Sequence, residues 1–135
     1  MADYFAHWLD IGRREGAQLP RIFHGNWFRK DEDGKFLWPG FKENSRVLAW
    51  IFRRCDGDAE AIESEIGLVP PRGEGGIPLE GLEISEERME KALAVDPEEW
   101  TLQMPQVHEH YARFGDRLPR ELRAQLEGLE KRLGC

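Results

Sequence analysis

The apolar residues in the last third of the chain recur at three- and four-residue steps, and this spacing constrains the fold more than any other feature. One series is Trp100, Met104, Val107, Tyr111 and Phe114, and a second is Leu122, Leu126, Leu129 and Leu133. Side chains at such spacing share one face of an α-helix. The sequence therefore predicts two amphipathic helices whose apolar seams pack on each other or on another element. Pro105 is expected to kink or divide the first.

Local signals mark where these helices begin. Asp96-Pro97-Glu98-Glu99 combines an N-cap, a proline at the first helical position and an acid at the third. The last helix is predicted to begin near Pro119, and a helical signal precedes both at Ser85. The C-terminal half is therefore expected to be mostly helical.

The first part of the chain alternates between helical and extended patterns. Aromatic and aliphatic residues at helical spacing predict a helix over residues 3–14. Residues 22–28 and 35–38 are typical of strands, and the intervening turn ends in Asp33-Gly34, so a β-hairpin is predicted. Pro39-Gly40 ends the hairpin. A second helix is expected to begin at a cap formed by Asn44 or Ser45 and to end at Gly57.

Residues 67–81 contain three prolines and five glycines, which predicts a surface loop. With 135 residues, 40% of them hydrophobic, one compact domain is the default expectation. The predicted fold class is α+β: an N-terminal helix, a short hairpin and a mostly helical C-terminal region. The expected organisation is a single segment over residues 1–135, divided into 1–57, a surface loop at 58–84 and a helical tail at 85–135.

Several features bear on the location of the protein. No run approaches the ~20 apolar residues of a membrane span, and the first residues lack the basic and apolar regions of a signal peptide. The two cysteines, Cys55 and Cys135, give neither a disulfide framework nor paired metal-ligand spacing. A soluble, cytoplasmic protein is expected.

The net charge of −7 opposes general nucleic-acid binding, but the charge is unevenly distributed. Residues 21–54 carry eight basic and four acidic side chains, whereas residues 55–135 carry nine and nineteen. The positive segment is also rich in aromatic residues. It suits a small anionic ligand with a flat ring, although chance clustering of solvated charge explains the distribution equally well.

Motifs for phosphate and metal chemistry are missing from the sequence. There is no G-x-x-x-x-G-K-[ST] loop, no G-x-G-x-x-G and no G-x-S-x-G. The acidic turn at residues 31–34 does not fit a calcium loop, because its first and twelfth positions would be Arg29 and Gly40. His108 and His110 lie two apart in a predicted helix and point to different sides. No catalytic and no metal-binding residue is predicted.

Five aromatic residues are brought close by the predicted hairpin and its exit: Trp27, Phe28, Phe36, Trp38 and Phe41. Each ring offers a base about 1 to 3 kcal/mol of stacking, and the amide of Asn44 offers a donor and an acceptor to a base edge. From the residues alone, a hydrophobic core is the favoured interpretation of this cluster. Side chains alternate along a strand, so Trp27 and Phe28 face the same space only if the strand ends or bulges between them.

Longer stretches of this region closely resemble GTP-dependent phosphoenolpyruvate carboxykinases. The matching segments are Ile22–Lys30, Gly34–Phe41 and Glu43–Leu48, together with Tyr4–Leu9 and, more loosely, the acidic helical tail. The resemblance implies that the chain is a C-terminal piece of a larger α/β enzyme, roughly its last fifth. It assigns Trp27, Phe28, Phe36 and Phe41 to the walls of a guanine pocket and Asn44 to the base edge, and it adds Lys42 and Glu43 to the GTP-binding segment.

The family converts oxaloacetate and GTP to phosphoenolpyruvate, carbon dioxide and GDP in gluconeogenesis, using manganese or magnesium. The resemblance implies that its phosphate loop, metal ligands and substrate arginines lie upstream of the part represented here. The chain is therefore expected to bind only the base portion of GTP or GDP, to bind no metal and to be catalytically inactive alone. Whether it is itself an enzyme is left open. Expected partners are a guanine nucleotide and the upstream part of the same enzyme.

One residue departs from the family pattern. The family has glycine between the Phe and the Glu of its F-G-E-N motif, whereas this chain has Lys42. If the backbone there has positive φ, lysine costs on the order of 1 to 2 kcal/mol and shifts Phe41 or Asn44. At ordinary φ the side chain points outward and adds positive charge beside the nucleotide, which is the preferred interpretation.

The alternative function is a free-standing helical interaction module in which the aromatic cluster is core. In that interpretation the helical seams dock a partner or a second copy, and exposed apolar helix faces favour self-association.

Overall fold

The computed structural model describes all 135 residues, and they form two compact units. The terminal unit consists of Met1–Pro20 and Asp96–Cys135, and the central unit is Arg21–Val95. No helix is long and apolar enough to cross a membrane. The mixture of helices with one two-stranded antiparallel sheet confirms the predicted α+β class.

The terminal unit contains three helices, α1 (Ala2–Gly12), α4 (Pro97–Ala112) and α5 (Arg120–Leu133). Asp96 caps α4 as predicted, its Oδ1 accepting hydrogen bonds from the backbone N–H groups of Glu98 and Glu99 at 2.9 and 3.3 Å. Pro105 lies inside α4 without dividing it. The first predicted helix is confirmed within two residues at each end, and the last begins at Arg120, one residue after the predicted start near Pro119.

The two predicted seams of the terminal unit pack on each other. Met104 of α4 and Leu126 of α5 are buried, as is Leu118 between the helices. Helix α1 joins through an edge-to-face contact between Phe5 and Phe114, whose ring centroids are 5.9 Å apart. The spacing of apolar residues thus identified the buried faces, except at Trp100, which is 37% exposed.

The central unit contains α2 (Asn44–Asp56), β1 (Ile62–Ser64), β2 (Gly67–Val69) and α3 (Glu86–Leu93). Its core comprises Trp38, Trp50, Ala59, Ile77 and Met89. Helix α2 ends at Gly57, whose φ of 88° is the left-handed conformation expected at this position. Ser85 caps α3 by accepting a hydrogen bond from the backbone N–H of Arg88 at 3.2 Å.

The predicted hairpin over residues 22–38 is largely wrong. The turn forms, but only one antiparallel bridge, Lys30 to Phe36, closes it, and residues 22–28 are not a strand. The Oδ1 of Asn26 accepts a hydrogen bond from the backbone N–H of Phe28 at 3.0 Å. Such a local side-chain bond competes with a strand ladder, which explains why the ladder does not extend.

The regular hairpin instead lies within residues 58–84, which were predicted as a surface loop. Strands β1 and β2 pair antiparallel, with Ile62 opposite Val69 and Ser64 opposite Gly67. Ala59 and Ile77 of the same stretch are buried in the core. The glycines and prolines thus mark turns around a short hairpin, and the stretch contributes to packing.

Candidate nucleotide-binding site

The backbone of residues 29–37 sets two aromatic rings beside each other. The N–H of Leu37 donates to the carbonyl of Arg29 at 2.8 Å. The N–H of Asp31 donates to the carbonyl of Lys35 at 2.9 Å. Phe28 and Phe36 then meet edge to face, with ring centroids 6.2 Å apart. Their side chains remain 74% and 48% exposed, so this pair is available to a ligand.

Trp27 and Phe28 lie in different surroundings. Trp27 packs against the core of the central unit, with its ring centroid 6.1 Å from that of Trp38, whereas Phe28 is exposed. Residues 27 and 28 lie in a turn rather than in a strand, so the alternation expected of a strand does not apply to them, and the two side chains nevertheless have different surroundings. Trp27 is therefore part of the packing of the central unit, whereas Phe28 is open to solvent.

A 3-10 turn over Phe41–Glu43 follows Gly40, whose φ of 138° is a conformation that favours glycine. Phe41 projects from this turn with 91% of its surface exposed. Lys42 has ordinary negative φ, because every residue with positive φ in the chain is glycine, and its side chain is 90% exposed. The lysine therefore sits in the turn without backbone strain, and its Nζ lies 3.8 Å from Oε1 of Glu43.

Asn44 is the first residue of α2 rather than its cap. Glu43 occupies the cap position without a capping side-chain bond, so the predicted cap at Asn44 or Ser45 is wrong. The reason is a competing bond: the indole N–H of Trp38 donates to Oδ1 of Asn44 at 2.8 Å. The amide predicted to contact a base is thus held by the core of the central unit.

Hydrogen bonds from Arg46 hold the 3-10 turn that contains Glu43. Nε of Arg46 donates to Oε2 of Glu43 at 2.6 Å, and its Nη1 donates to the carbonyls of Pro78 and Glu80 at 3.0 and 2.8 Å. The hydrogen bond from Arg46, opposed in part by burial, holds the pKa of Glu43 below its ordinary value. Residues 41–43 are therefore tied to residues 78–80.

Two arginines tie the aromatic pair to α3. Arg88 of α3 donates from Nη2 to the carbonyl of Phe36 at 2.5 Å. Arg29, which follows Phe28, in turn donates from Nη1 to the carbonyls of Ala92 and Ala94 at the C-terminal end of α3. The N–H groups of an arginine suit free carbonyls at a helix end.

Sequence reasoning missed Arg29, Arg46 and Arg88, together with the role of Trp38. The backbone carbonyls that these arginines contact lie 32 to 65 residues away, and the partner of Trp38 lies six residues away. Arg29, Trp38 and Arg46 could have been suspected from their position within or near the aromatic segment, whereas no signal in the sequence pointed to Arg88.

The electrostatics of the site favour an anionic ligand. Lys30 lies over the ring of Phe36, with Nζ 5.0 Å from the ring centroid, and the exposed Lys42 lies with its Nζ 3.8 Å from Oε1 of Glu43. No group of three or more His, Cys, Asp or Glu side chains is arranged to hold a metal ion. The exposed rings and the amide of Asn44 are suited to stacking and hydrogen bonding.

Comparison with known proteins identifies the family. A family model described as the phosphoenolpyruvate carboxykinase C-terminal P-loop domain matches residues 1–132. The proteins named phosphoenolpyruvate carboxykinase [GTP] from Treponema pallidum (strain Nichols), Renibacterium salmoninarum and Chlamydia muridarum are 50%, 46% and 46% identical over 135, 133 and 134 residues. Each match covers 98% of this chain but only 22% of the relative. The chain therefore belongs to the GTP-dependent phosphoenolpyruvate carboxykinase family and corresponds to part of its C-terminal domain.

Proposed function

We propose that this chain contributes the guanine-binding pocket of a GTP-dependent phosphoenolpyruvate carboxykinase. The observation that carries the proposal is the exposure of Phe28, Phe36 and Phe41 on the central unit, close in sequence to the half-buried amide of Asn44. Large aromatic side chains are normally buried, and an exposed group of them beside a polar anchor is typical of a binding site. Stacking supplies affinity for a purine, and the amide supplies discrimination between bases.

The charge of the segment supports a nucleotide as the ligand. Residues 21–54 carry eight basic and four acidic side chains, in a chain whose net charge is −7. Lys30 brings positive charge to the ring of Phe36, and Lys42, which pairs with Glu43, is 90% exposed. Positive charge in this segment raises the local concentration of a polyphosphate and leaves the base to the aromatic rings.

In the proposed reaction, oxaloacetate and GTP give phosphoenolpyruvate, carbon dioxide and GDP. Phosphoryl transfer depends on groups that position the phosphates and on metal ions. The sequence contains no phosphate loop, and its potential ligands do not cluster. We therefore assign the chemistry, the metal and the substrate arginines to the remaining four-fifths of the enzyme, and to this chain the binding of the base. A cytoplasmic location stays a prediction from the sequence.

Nucleotide titration tests the proposal. GTP, GDP and ATP are titrated against the 135-residue chain by isothermal calorimetry, with Phe36→Ala and Asn44→Ala as variants. GTP and GDP are expected to bind more tightly than ATP, with Phe36→Ala weakening all three and Asn44→Ala reducing the preference for guanine. Equal binding of the three nucleotides, or no binding, would refute a guanine site in this chain.

The alternative, an interaction module, is favoured by one feature of the terminal unit. An apolar groove of about 400 Å3 is lined by residues that include Phe5, Trp8, Leu19 and Leu122, and Trp8 is 58% exposed. Self-association through this groove would bury it. Sedimentation velocity of the unmodified chain and of Trp8→Ala tests this: a dimer lost in the variant supports the alternative, and a monomer in both refutes it.

A further inference from the structure

Trp38 and Asn44 form the one hydrogen bond that links the core of the central unit to the proposed base edge. Trp38 is 8% exposed, and its Nε1–H donates to Oδ1 of Asn44 at 2.8 Å. An indole nitrogen can only donate, whereas an amide side chain both donates and accepts. The atom of Asn44 that faces Trp38 must therefore be its oxygen, and this removes the usual ambiguity in the orientation of an asparagine amide.

The orientation of the amide determines what Asn44 offers to a ligand. Its oxygen is engaged from the core side, while its amino nitrogen has no protein partner, and the residue is only half-buried. We infer that Trp38 is a positioning residue, which holds Asn44 so that it presents a hydrogen-bond donor to the base. The inference rests on the proposed guanine site and specifies the chemistry by which that site selects its base.

A fixed donor discriminates between purines. Guanine carries a keto oxygen, an acceptor, at the position where adenine carries an amino group, a donor. A donor at Asn44 pairs with the first and faces the second unfavourably. Hypoxanthine keeps the keto oxygen and lacks the 2-amino group of guanine, so inosine diphosphate separates recognition of the keto oxygen from recognition of the amino group.

The chain supplies a matched control for Trp38. Trp50 lies in the same core and is 4% exposed, but its Nε1 is buried without a hydrogen-bond partner. Replacing either tryptophan by phenylalanine makes the same change in size and removes the same N–H group. Only Trp38→Phe releases the amide of Asn44.

The decisive experiment is calorimetric titration of GDP, IDP and ADP into the unmodified chain, Trp38→Phe and Trp50→Phe. In Trp38→Phe the dissociation constants of GDP and IDP should rise by a common factor of about two or more, because two equally populated amide orientations halve the competent fraction. ADP should bind no more weakly, since the released amide can turn its oxygen toward the adenine amino group. Trp50→Phe should keep the selectivity of the unmodified chain.

The inference is overturned if Trp38→Phe keeps the GDP-to-ADP selectivity of the unmodified chain or loses affinity for all three nucleotides equally. Asn44→Asp gives a second test that needs no change in the core, because it keeps an oxygen for Trp38 and replaces the donor by an acceptor. It should abolish the preference for GDP over ADP. Retention of that preference would also overturn the inference.

A spectroscopic test without nucleotide separates this inference from the proposed function. In 1H–15N spectra of the free chain, Asn44→Ala should shift the indole resonance of Trp38 and leave that of Trp50 unchanged. An unshifted Trp38 resonance overturns the positioning role. An unmodified chain that shows this dependence but binds GDP and ADP equally would instead overturn the proposed guanine site.

Discussion

Phe41→Ala separates a binding role of the aromatic group from a structural one. The side chain is 91% exposed, so the folded protein gains little from its burial. If full burial of a phenylalanine is worth about 3 kcal/mol, the remaining tenth contributes roughly 0.3 kcal/mol to the free energy of unfolding. Loss of one stacking ring costs about 1 to 3 kcal/mol of binding free energy, which corresponds to a 5- to 150-fold rise in the GDP dissociation constant.

The assay pairs calorimetric titration with GDP and thermal unfolding followed by circular dichroism. Phe52→Ala is the matched control, because Phe52 is 68% exposed on α2 and lies outside the predicted pocket. Phe41→Ala should unfold at nearly the same temperature as the unmodified chain and bind GDP much more weakly, whereas Phe52→Ala should change neither property. A loss of about 3 to 5 kcal/mol of stability in Phe41→Ala would show that the ring is core and refute the reasoning.

Three further predictions concern the supports of the site and the fold. Because the lowered pKa of Glu43 stabilises the protein above its ordinary pKa of 4.5, the difference in melting temperature between the unmodified chain and Arg46→Met should be largest near pH 6 and shrink as the pH falls below 4.5. Arg88→Met should cost about 1 kcal/mol of stability and weaken GDP binding, because the carbonyl of Phe36 loses its donor. Asp96→Ala should lower the free energy of unfolding by about 1 kcal/mol through loss of the α4 cap, without affecting nucleotide binding.

A separate experimental result would contradict each of these three predictions. Arg72→Met is the control for Arg88→Met, because Arg72 pairs with Glu90 on α3 and makes no bond to the aromatic pair. Equal weakening of GDP binding in both variants would contradict a specific role for Arg88. A pH-independent difference between the unmodified chain and Arg46→Met would contradict the role of Glu43, and an unchanged melting temperature in Asp96→Ala would show that the cap contributes nothing.

The elements that were predicted correctly are specified by nearby residues. Helix α4 has its cap, its first-position proline and its apolar seam within the chain segment that forms it, and α2 has a glycine at its end. These signals act over one or two turns, so a single sequence contains them in full.

Whether the strands form depends on competition between strand pairing and other local interactions, which the sequence does not reveal. Residues 22–28 have the composition of a strand, but a bond from Phe28 to Asn26 and the packing of Trp27 against the core prevent a ladder. Strands β1 and β2 are only three residues each and are surrounded by turn residues. Short strands are stabilised by their pairing, which a pattern of propensities does not reveal.

The candidate site was predictable in its aromatic residues and not in their supports. Phe28, Phe36 and Phe41 stand out by composition and by family resemblance. The carbonyl partners of Arg46 and Arg88 lie far along the chain, and they become neighbours only after the central unit folds. The role of Lys42 also required the structure, because only its φ shows that the turn accepts a side chain.

The most direct test of the account is a 1H–15N spectrum of the 135-residue chain recorded during titration with GDP and, separately, with ADP. The account predicts that GDP shifts resonances of residues 27–44, including the side-chain amide of Asn44, and leaves α4 and α5 unchanged, while the same concentration of ADP produces smaller shifts. Shifts confined to the terminal unit, or equal shifts with both nucleotides, would contradict the claim that this chain carries a guanine-binding site.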